Sequence, residues 1–450
     1  MMYLRNIAQI GGVYLQAYAV GDFLIASRIG GLQLFLIDAG TLIPSSTLPL
    51  AAVPYLVLRN DDLFAVFKKS AYKIQITSER EIKLHAVSID AIYQRPLETN
   101  QQVITPHGTF QLDRKAGTFT NLTTTKTTKL PGYSRPSTIS ASQSGEFLYI
   151  SDVGRIHCFH IAQEAFTQGY SNPGWPKDVC VAGDNVFVAN VYGVTWYKDL
   201  NDAPFLKMQS KVNFPHFRIA KVITRDQYVY AGDEARGVHI FKADSSGKLL
   251  PKGGIMCDGG GWDCTFVEDD LYIANGEKGW CRLKNFSPDK TIYSPDLKIV
   301  YENERVQAVS DWPNANAVVI LSSGYTRVLS KDENTELFSF CANSWAGCAA
   351  GKLFFAATAT GIVVLKVDDH GKIIISEQIE TTEARDICYD SKYIWIADGK
   401  GGIKCFSVDS NVVKYVGTFP VCGFSRGLFV SERRLYVGAG DGGLAVIEKR

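Results

Sequence analysis

The stretch Asp178-Val-Cys-Val-Ala-Gly-Asp-Asn-Val-Phe-Val-Ala-Asn190, followed by Gly193-Val-Thr-Trp-Tyr-Lys-Asp199, decides the fold of this 450-residue chain. Short apolar runs alternate in it with polar turns that contain Gly, Asp or Asn, a pattern typical of consecutive β-strands. The phrase returns about every forty residues, and strands repeated at such a period indicate a β-propeller. Clear copies lie at residues 386–398 with 402–409, and at residues 435–441 with 443–447.

The repeat predicts four strands in each unit and about eleven units in the chain. We therefore predict an all-β fold, a propeller array of four-stranded units that spans residues 1–450 as one domain. The third unit, around residues 85–130, is the least regular copy. Its Thr-rich run at residues 118–128 is interpreted as an exposed strand, with a low-complexity linker as the alternative.

The two ends of the chain predict how the array closes. Residues 3–10 form a lone strand before the first unit, and the chain stops just after the third strand of its last unit, at residues 444–447. The N-terminal strand is therefore expected to complete the last blade, which removes two exposed sheet edges. Eleven blades exceed the usual four to eight. We favour one large ring, with two smaller rings as the alternative.

Composition excludes several classes of function. Lys and Arg number 47 against 46 Asp and Glu, so no basic surface for nucleic acid is expected. No apolar stretch reaches membrane-spanning length, and the N-terminus has no signal-peptide pattern. The ten cysteines recur at equivalent strand positions, which favours small buried hydrophobes over disulfides or metal ligands. Reduced cysteines and the absence of a signal predict a cytoplasmic protein.

The candidate site is the mouth of the central channel, where the first strands of the units begin. Aromatic and charged side chains recur there, and Trp and Arg are the residue types that dominate binding hot spots. We predict a binding or scaffold protein that engages a protein partner at this mouth. The alternative role of the same residues is structural, since Trp and Arg also seal neighbouring blades. The predicted binding residues are Trp175, Lys177, Arg218, Trp262, Trp345, Arg385 and Arg426.

A second function class is a hydrolase or lyase that acts on a small molecule in the channel. A ring gathers residues that are distant in sequence, so carboxylates from different units could share acid–base work. The weak catalytic candidates are Asp178, Asp263, Asp386 and His216. No metal or cofactor is predicted, because His157 and His160 are three residues apart on a strand and point to opposite faces. We favour the non-catalytic hypothesis.

The repeated phrase resembles the LVIVD-repeat propellers. The stretch at residues 178–190 carries the likeness, as do Gly30-Gly-Leu-Gln-Leu-Phe-Leu-Ile-Asp38 and Gly361-Ile-Val-Val-Leu-Lys-Val-Asp368. The resemblance covers most of the chain and implies a fold. It implies no reaction, because that repeat family shares none. The Gly-His and Trp-Asp dipeptides of WD repeats are absent in register.

Overall fold

The computed structural model describes residues 4–10, 14–38, 41–50, 52–59, 62–68, 70–88, 102–131, 138–141, 144–152, 155–171, 175–191, 193–200, 206–213, 218–288, 297–301 and 303–449. Over these ranges the regular structure is β-strand, apart from two three-residue 3₁₀ turns at Pro313–Ala315 and Gly440–Gly442. No helix in the described chain has the length and apolar character needed to cross a bilayer.

The strands form eleven antiparallel sheets of four strands each, as the repeat predicts. Sheets 1 to 4 consist of Tyr14–Val20, Phe23–Arg28, Gly31–Asp38 and Thr41–Pro49 (sheet 1); Tyr55–Arg59, Asp62–Val66, Ala71–Ile76 and Ile82–Val87 (sheet 2); Gln102–Thr105, Gly108–Asp113, Thr118–Asn121 and Lys126–Lys129 (sheet 3); Thr138–Ala141, Phe147–Asp152, Arg155–His160 and Ala165–Ser171 (sheet 4).

The next seven sheets complete the chain. They consist of Pro176–Ala182, Asn185–Asn190, Gly193–Asp199 and Leu206–Asn213 (sheet 5); Ile219–Arg225, Tyr228–Asp233, Gly237–Ala243 and Leu249–Met256 (sheet 6); Asp263–Val267, Asp270–Ala274, Trp280–Leu283 and Leu297–Ile299 (sheet 7); Val306–Trp312, Ala317–Ser322, Tyr325–Ser330 and Glu336–Cys341 (sheet 8); Ser344–Ala350, Leu353–Thr358, Gly361–Val367 and Ile373–Glu380 (sheet 9); Asp386–Tyr389, Tyr393–Ala397, Ile403–Asp409 and Val412–Phe419 (sheet 10); Gly427–Val430, Arg434–Gly438, Leu444–Lys449 and Leu4–Ile10 (sheet 11).

The burial of sheet 5 shows why its sequence takes this form. The second strand, Asn185–Asn190, is buried almost throughout, because neighbouring sheets cover both of its faces. Such a strand reads as a continuous apolar run rather than as an alternating one. The fourth strand, Leu206–Asn213, is mostly exposed and polar, as an outer edge requires.

The N-terminal strand pairs with the last strand of the chain. Leu4 lies opposite Lys449 and Ile10 lies opposite Leu444, in an antiparallel ladder. The pairing that the sequence predicts is therefore present, with the terminal strand extending to Lys449. It joins the two ends of the chain within sheet 11.

Apolar packing divides the sheets into two groups. From sheet 5 to sheet 11, each consecutive pair shares a buried cluster, such as that of Phe187, Trp196 and Phe241 between sheets 5 and 6. Sheet 11 also packs on sheet 5, through Tyr436 and Val188. We call sheets 5–11 the seven-sheet group.

Sheets 1–4 form the four-sheet group. Sheet 1 shares one cluster with sheet 2 and another with sheet 4, and sheet 4 shares a third with sheet 3. None of the apolar clusters in the described ranges joins sheet 4 to sheet 5. This packing order differs from the one that a single ring of eleven blades would need.

Two details of the irregular third unit also differ from prediction. Its first strand begins at Gln102, and Ile82–Val87 is instead the fourth strand of sheet 2. The Thr-rich run forms a hairpin, because Thr118–Asn121 pairs with Lys126–Lys129 around a turn. Neither the single exposed strand nor the linker describes it.

Candidate functional site

A cavity of about 570 Å³ lies where the first strands of the seven-sheet group converge. Every sheet of the group contributes to its wall. One lining residue from each, in chain order, is Asp178, Lys221, Asp263, Val309, Gly347, Asp386 and Leu428.

Four charged residues of this wall occupy equivalent register positions. Asp178 lies opposite Ala189, and Lys221 lies opposite Gly232. Asp263 and Asp386 occupy the same place in sheets 7 and 10, opposite Ala274 and Ala397. We call this register position the channel position. Sheets 8, 9 and 11 fill it with the small residues Ala308, Ala346 and Gly427.

Each channel-position aspartate links its sheet to the next one. Asp178 Oδ2 accepts the Val222 N–H of sheet 6 at 2.9 Å. Asp386 Oδ2 accepts the Leu428 N–H of sheet 11 at 2.8 Å, while its Oδ1 accepts the Ile387 N–H at 2.9 Å.

Asp263 makes the same pair of bonds in sheet 7. Its Oδ1 accepts the Cys264 N–H at 2.8 Å, and its Oδ2 accepts the Val309 N–H of sheet 8 at 3.4 Å. Buried backbone donors need such acceptors, so the three carboxylates have a structural task.

Lys221 is the cation among these carboxylates. Its Nζ lies 3.5 Å from Asp178 Oδ1 and 3.7 Å from Asp386 Oδ1. Burial alone would lower the pKa of Lys221, but the carboxylates of Asp178, Asp386 and Asp263 outweigh it and hold the pKa well above its ordinary value.

Burial has the opposite effect on the carboxylates. It raises the pKa of Asp178 to about 7, against the opposing influence of Lys221 and with a contribution from Asp386. Burial likewise raises the pKa of Asp263 to about 6. Near neutral pH Asp178 is therefore partly protonated, whereas Asp263 is mostly ionised.

Guanidinium groups stacked on aromatic rings form the rim of the cavity. The Arg385 guanidinium carbon lies 3.3 Å from the ring centroid of Trp345, and that of Arg426 lies 5.5 Å from Trp175. Both also lie over Phe424, at 5.5 and 5.3 Å. Arginine and aromatic groups thus share one surface, in cation–π geometry.

A close glycine contact fixes the position of Trp175. A Cβ placed on Gly440 would lie 2.3 Å from Trp175 Nε1, and Gly440 has a φ of +54°. Only glycine combines this backbone conformation with so close an approach. The 3₁₀ turn of sheet 11 thereby supports the indole that Arg426 covers.

The structure gathers most of the predicted binding residues. Lys177, Trp262, Trp345, Arg385 and Arg426 line the cavity.

Two predicted binding residues are not part of the cavity wall. Trp175 lies beside the wall with 41% of its surface exposed. Arg218 is exposed and does not line the cavity, and its backbone N–H donates to Asp233 Oδ1 at 3.2 Å.

The catalytic candidates have mixed outcomes. Asp178, Asp263 and Asp386 do converge on one cavity, whereas His216 lies outside the described residues. Sequence reasoning missed Lys221, because it searched for aspartate at the channel position. Aligning Val222 with Val179 would have shown that Lys221 occupies the same position in its unit as Asp178 does in the preceding one.

The ten cysteines, which all lie within the described residues, form no disulfide. Cys180, Cys264 and Cys388 lie in the cavity wall, where burial raises the pKa of each thiol and keeps it protonated at neutral pH. The interpretation as buried hydrophobes is wrong for Cys341, which is exposed on the outer strand of sheet 8. Within the described ranges, no cluster of three or more His, Cys, Asp or Glu side chains is placed to hold a metal ion.

Comparison with known proteins identifies a fold and no family. No family model matches the chain, and no curated protein matches it. A chain of the crystal structure of the mitotic checkpoint complex is similar with a TM-score of 0.48 and 11% identity, over 62% of this chain and 96% of that one. The structure of U3-55K is similar with a TM-score of 0.50 and 11% identity, over 61% and 95% of the two chains. These neighbours are propellers of the WD40 type, and at such identity the likeness concerns the fold alone.

Proposed function

We propose that the seven-sheet group is a seven-bladed ring whose channel mouth binds a protein partner, so that the chain works as a scaffold. The ring is supported by the apolar cluster between sheets 5 and 11, in addition to those between consecutive sheets. It is also supported by the match to U3-55K, which covers 61% of this chain and 95% of that one. Residues 175–449 alone would fill that share. The four-sheet group is then a separate unit inserted after the N-terminal strand.

The rim of arginine and aromatic side chains carries the proposal of binding. Arg385 on Trp345 and Arg426 on Trp175 present wide, partly desolvated surfaces around the cavity. Such groups bury a large area at a small cost in side-chain entropy, which is why they dominate protein interfaces. The exposure of Trp175 leaves part of this surface available to a partner.

Chemistry in the channel is the weaker hypothesis. Perturbed carboxylates in a cavity are candidate catalytic groups, and Asp178 and Asp263 meet that description. However, one oxygen of each of the three aspartates accepts a backbone N–H of the next sheet. The second oxygen of Asp263 and of Asp386 accepts the N–H of the following residue, and that of Asp178 faces Lys221 Nζ at 3.5 Å. A catalytic carboxylate needs an oxygen that is free for the substrate. The residues are better explained as structural links.

Site-specific photocross-linking tests the proposal. A benzoylphenylalanine replaces Trp175 at the mouth or, as a control, Asp184 in the turn at the far end of the same first strand. Irradiation in an extract of the source cells should give cross-linked proteins with the Trp175 variant, and excess wild-type protein should abolish them. Cross-links at Asp184 alone, or the same products at both positions, would refute binding at the mouth.

A further inference from the structure

Most cations at the mouth already have a carboxylate partner. Lys177 Nζ lies 2.5 Å from Glu234 Oε1, and the Arg305 guanidinium lies 3.0 Å from Glu277 Oε1. Arg385 is paired with Glu383. These pairs neutralise their own charge and offer little to a partner.

Arg426 is different. In the described part of the chain it has no carboxylate within ion-pair distance, although its side chain is half-buried. Its guanidinium rests on Trp175 and Phe424, which supply no hydrogen-bond acceptor of ordinary strength. Its Nε is buried and lacks a hydrogen-bond partner among the described residues. A desolvated donor without an acceptor is costly, so an acceptor supplied by a partner would stabilise this guanidinium group.

Arg385 shares the same deficit. Its Nε is also buried without an acceptor in the described chain, and it lies over the same Phe424 ring. Burial lowers the pKa of Arg385, Glu383 opposes that effect, and the neighbouring charge of Arg426 adds to it. Glu383 pairs with Arg385 alone, so the two neighbouring guanidinium groups retain one positive charge that no carboxylate of the described chain balances.

We propose that Arg426 and Arg385 form a carboxylate-recognition site, and that the partner at the mouth binds through a segment rich in Asp and Glu. This inference rests on the proposed binding function and names the chemistry of the partner. Guanidinium groups favour carboxylates because their planar N–H donors match the two carboxylate oxygens. Held against aromatic rings, they pay little further entropy on binding.

The same rim disfavours nucleic acid and basic segments. Arg385 and Arg426 already cover the rings of Trp345 and Trp175 on which bases would stack. A basic segment would have to displace Lys221 from the carboxylates of the channel.

Peptide binding to the full-length protein tests the inference. Fluorescein-labelled ten-residue peptides alternate Gly with Glu, Gln or Lys, and a dT₁₂ oligonucleotide serves as the nucleic-acid probe. Fluorescence anisotropy should show the Glu peptide binding at least tenfold more tightly than the other three. Tighter binding of the Lys peptide or of dT₁₂ would overturn the proposal. So would displacement of the Glu peptide by free glutamate at equal carboxylate concentration.

Three variants locate the site. Arg426→Gln should weaken Glu-peptide binding at least fivefold. Arg433→Gln removes the same charge from an exposed position in the opposite turn of the same sheet, and it should change the affinity less than twofold. Glu383→Gln should strengthen binding about threefold, because it frees Arg385, and this gain keeps the test decisive if Arg426→Gln fails to fold. An unchanged affinity in Arg426→Gln or a weaker one in Glu383→Gln would contradict the proposal.

The two proposals fail in different ways. Cross-linking at Trp175 without preference for the Glu peptide would leave the binding function standing and remove the carboxylate site. If the Glu peptide binds through Arg426 but no protein is cross-linked at Trp175, the carboxylate site stands and the proposed binding of a protein partner is refuted.

Discussion

The seven-sheet group and the four-sheet group both join neighbouring sheets through the side chain at the channel position, but the two groups use different residue types there. In sheet 10, the channel-position residue Asp386 accepts the Leu428 N–H of sheet 11. In sheet 1, the equivalent residue is Gln16, which lies opposite Ser27 and accepts the Leu56 N–H of sheet 2 at 2.7 Å. A neutral amide thus does the work of a carboxylate. The comparison teaches that the task of this position is to join sheets, and that its charge is a separate property of the seven-sheet group.

The charge has a consequence that the amide lacks. Three aspartates converge on one cavity in the seven-sheet group, so a cation is needed among them, and Lys221 supplies it from the same register position. In the four-sheet group the buried Gln16 needs no counterion. The two groups should therefore respond differently to loss of a single charge and to pH.

Removing the cation is expected to have the largest effect. Lys221→Met leaves the buried carboxylates without their partner, which typically costs about 3–5 kcal/mol of unfolding free energy. Urea unfolding at pH 7.5 measures the loss. At pH 5 the loss should shrink, because Asp178 and Asp263, with pKa values of about 7 and about 6, are then mostly protonated.

A matched variant controls for the loss of a lysine as such. Lys352 pairs with Asp369 at 3.5 Å with about half of its side chain exposed. Lys352→Met should cost less than about 1 kcal/mol at either pH. Equal losses for the two variants would mean that the carboxylates of the channel do not depend on Lys221.

The next prediction concerns the contact between the two groups of sheets. A Cβ on Gly30 of sheet 1 would lie 2.4 Å from the Gly423 backbone nitrogen, next to sheet 11, and Gly30 has a φ of +87°. Nearby, Arg28 donates to the Gly442 carbonyl. Gly30→Ala should therefore cost about 2–3 kcal/mol, from left-handed strain and from the forced shift of backbone. It should also split thermal unfolding into two transitions.

Gly183 provides the control for strain alone. Its φ is +57°, and a Cβ there would meet no atom within 4 Å. Gly183→Ala should cost about 1 kcal/mol and preserve the number of transitions. If calorimetry gives the same trace for both variants, the two groups are not coupled through Gly30.

The neutral link can be broken by itself. Gln16→Leu leaves the Leu56 N–H buried without an acceptor, which should cost about 1–3 kcal/mol. Hydrogen exchange should accelerate more in Tyr55–Arg59 than in Ile219–Arg225, whose link is made by Asp178. Equal acceleration in both strands would show that the loss of this bond acts only through global unfolding.

Sequence reasoning could predict the sheets because each strand and turn carries a local signal. The hairpin at Gly183 and the buried run at residues 185–190 are examples. The order of packing has no such signal: both faces of sheet 5 are apolar, and nothing in its sequence distinguishes sheet 11 from sheet 4 as its neighbour. The grouping into four and seven sheets therefore emerges only in three dimensions.

The sequence likewise predicted some residues of the candidate site and not others. Trp345 and Arg385 could be placed at the rim because each directly precedes the channel position of its unit, at equivalent points of the repeat. The structural role of Asp386 could not be predicted, because its partner is the backbone N–H of Leu428, forty-two residues away. Almost every residue type has a backbone N–H, so the sequence at that position does not mark the contact. Lys221 and Gln16 were missed because they preserve the register of the repeat while changing the residue type.

The smallest expected effect is the pH dependence of stability, which distinguishes the aspartate links of the seven-sheet group from the Gln16 link of the four-sheet group. The pKa of Asp178 is about 7 in the folded protein and near 4 when unfolded, so the folded state binds more protons between these values. Stability must then fall as pH rises through this window, by about 1.4 kcal/mol per pH unit from this group. Asp263, whose pKa is about 6, adds to the same trend, whereas residues with lowered pKa, such as Asp398, contribute only below about pH 5. Urea unfolding at pH 5, 6 and 7 measures how the unfolding free energy depends on pH, and this dependence should be weaker for Asp178→Asn than for the wild type. Hydrogen exchange in Tyr55–Arg59, the strand that Gln16 links to sheet 1, should not change with this substitution. Identical slopes would mean that Asp178 is ionised throughout, and that the charge of the channel costs the fold nothing.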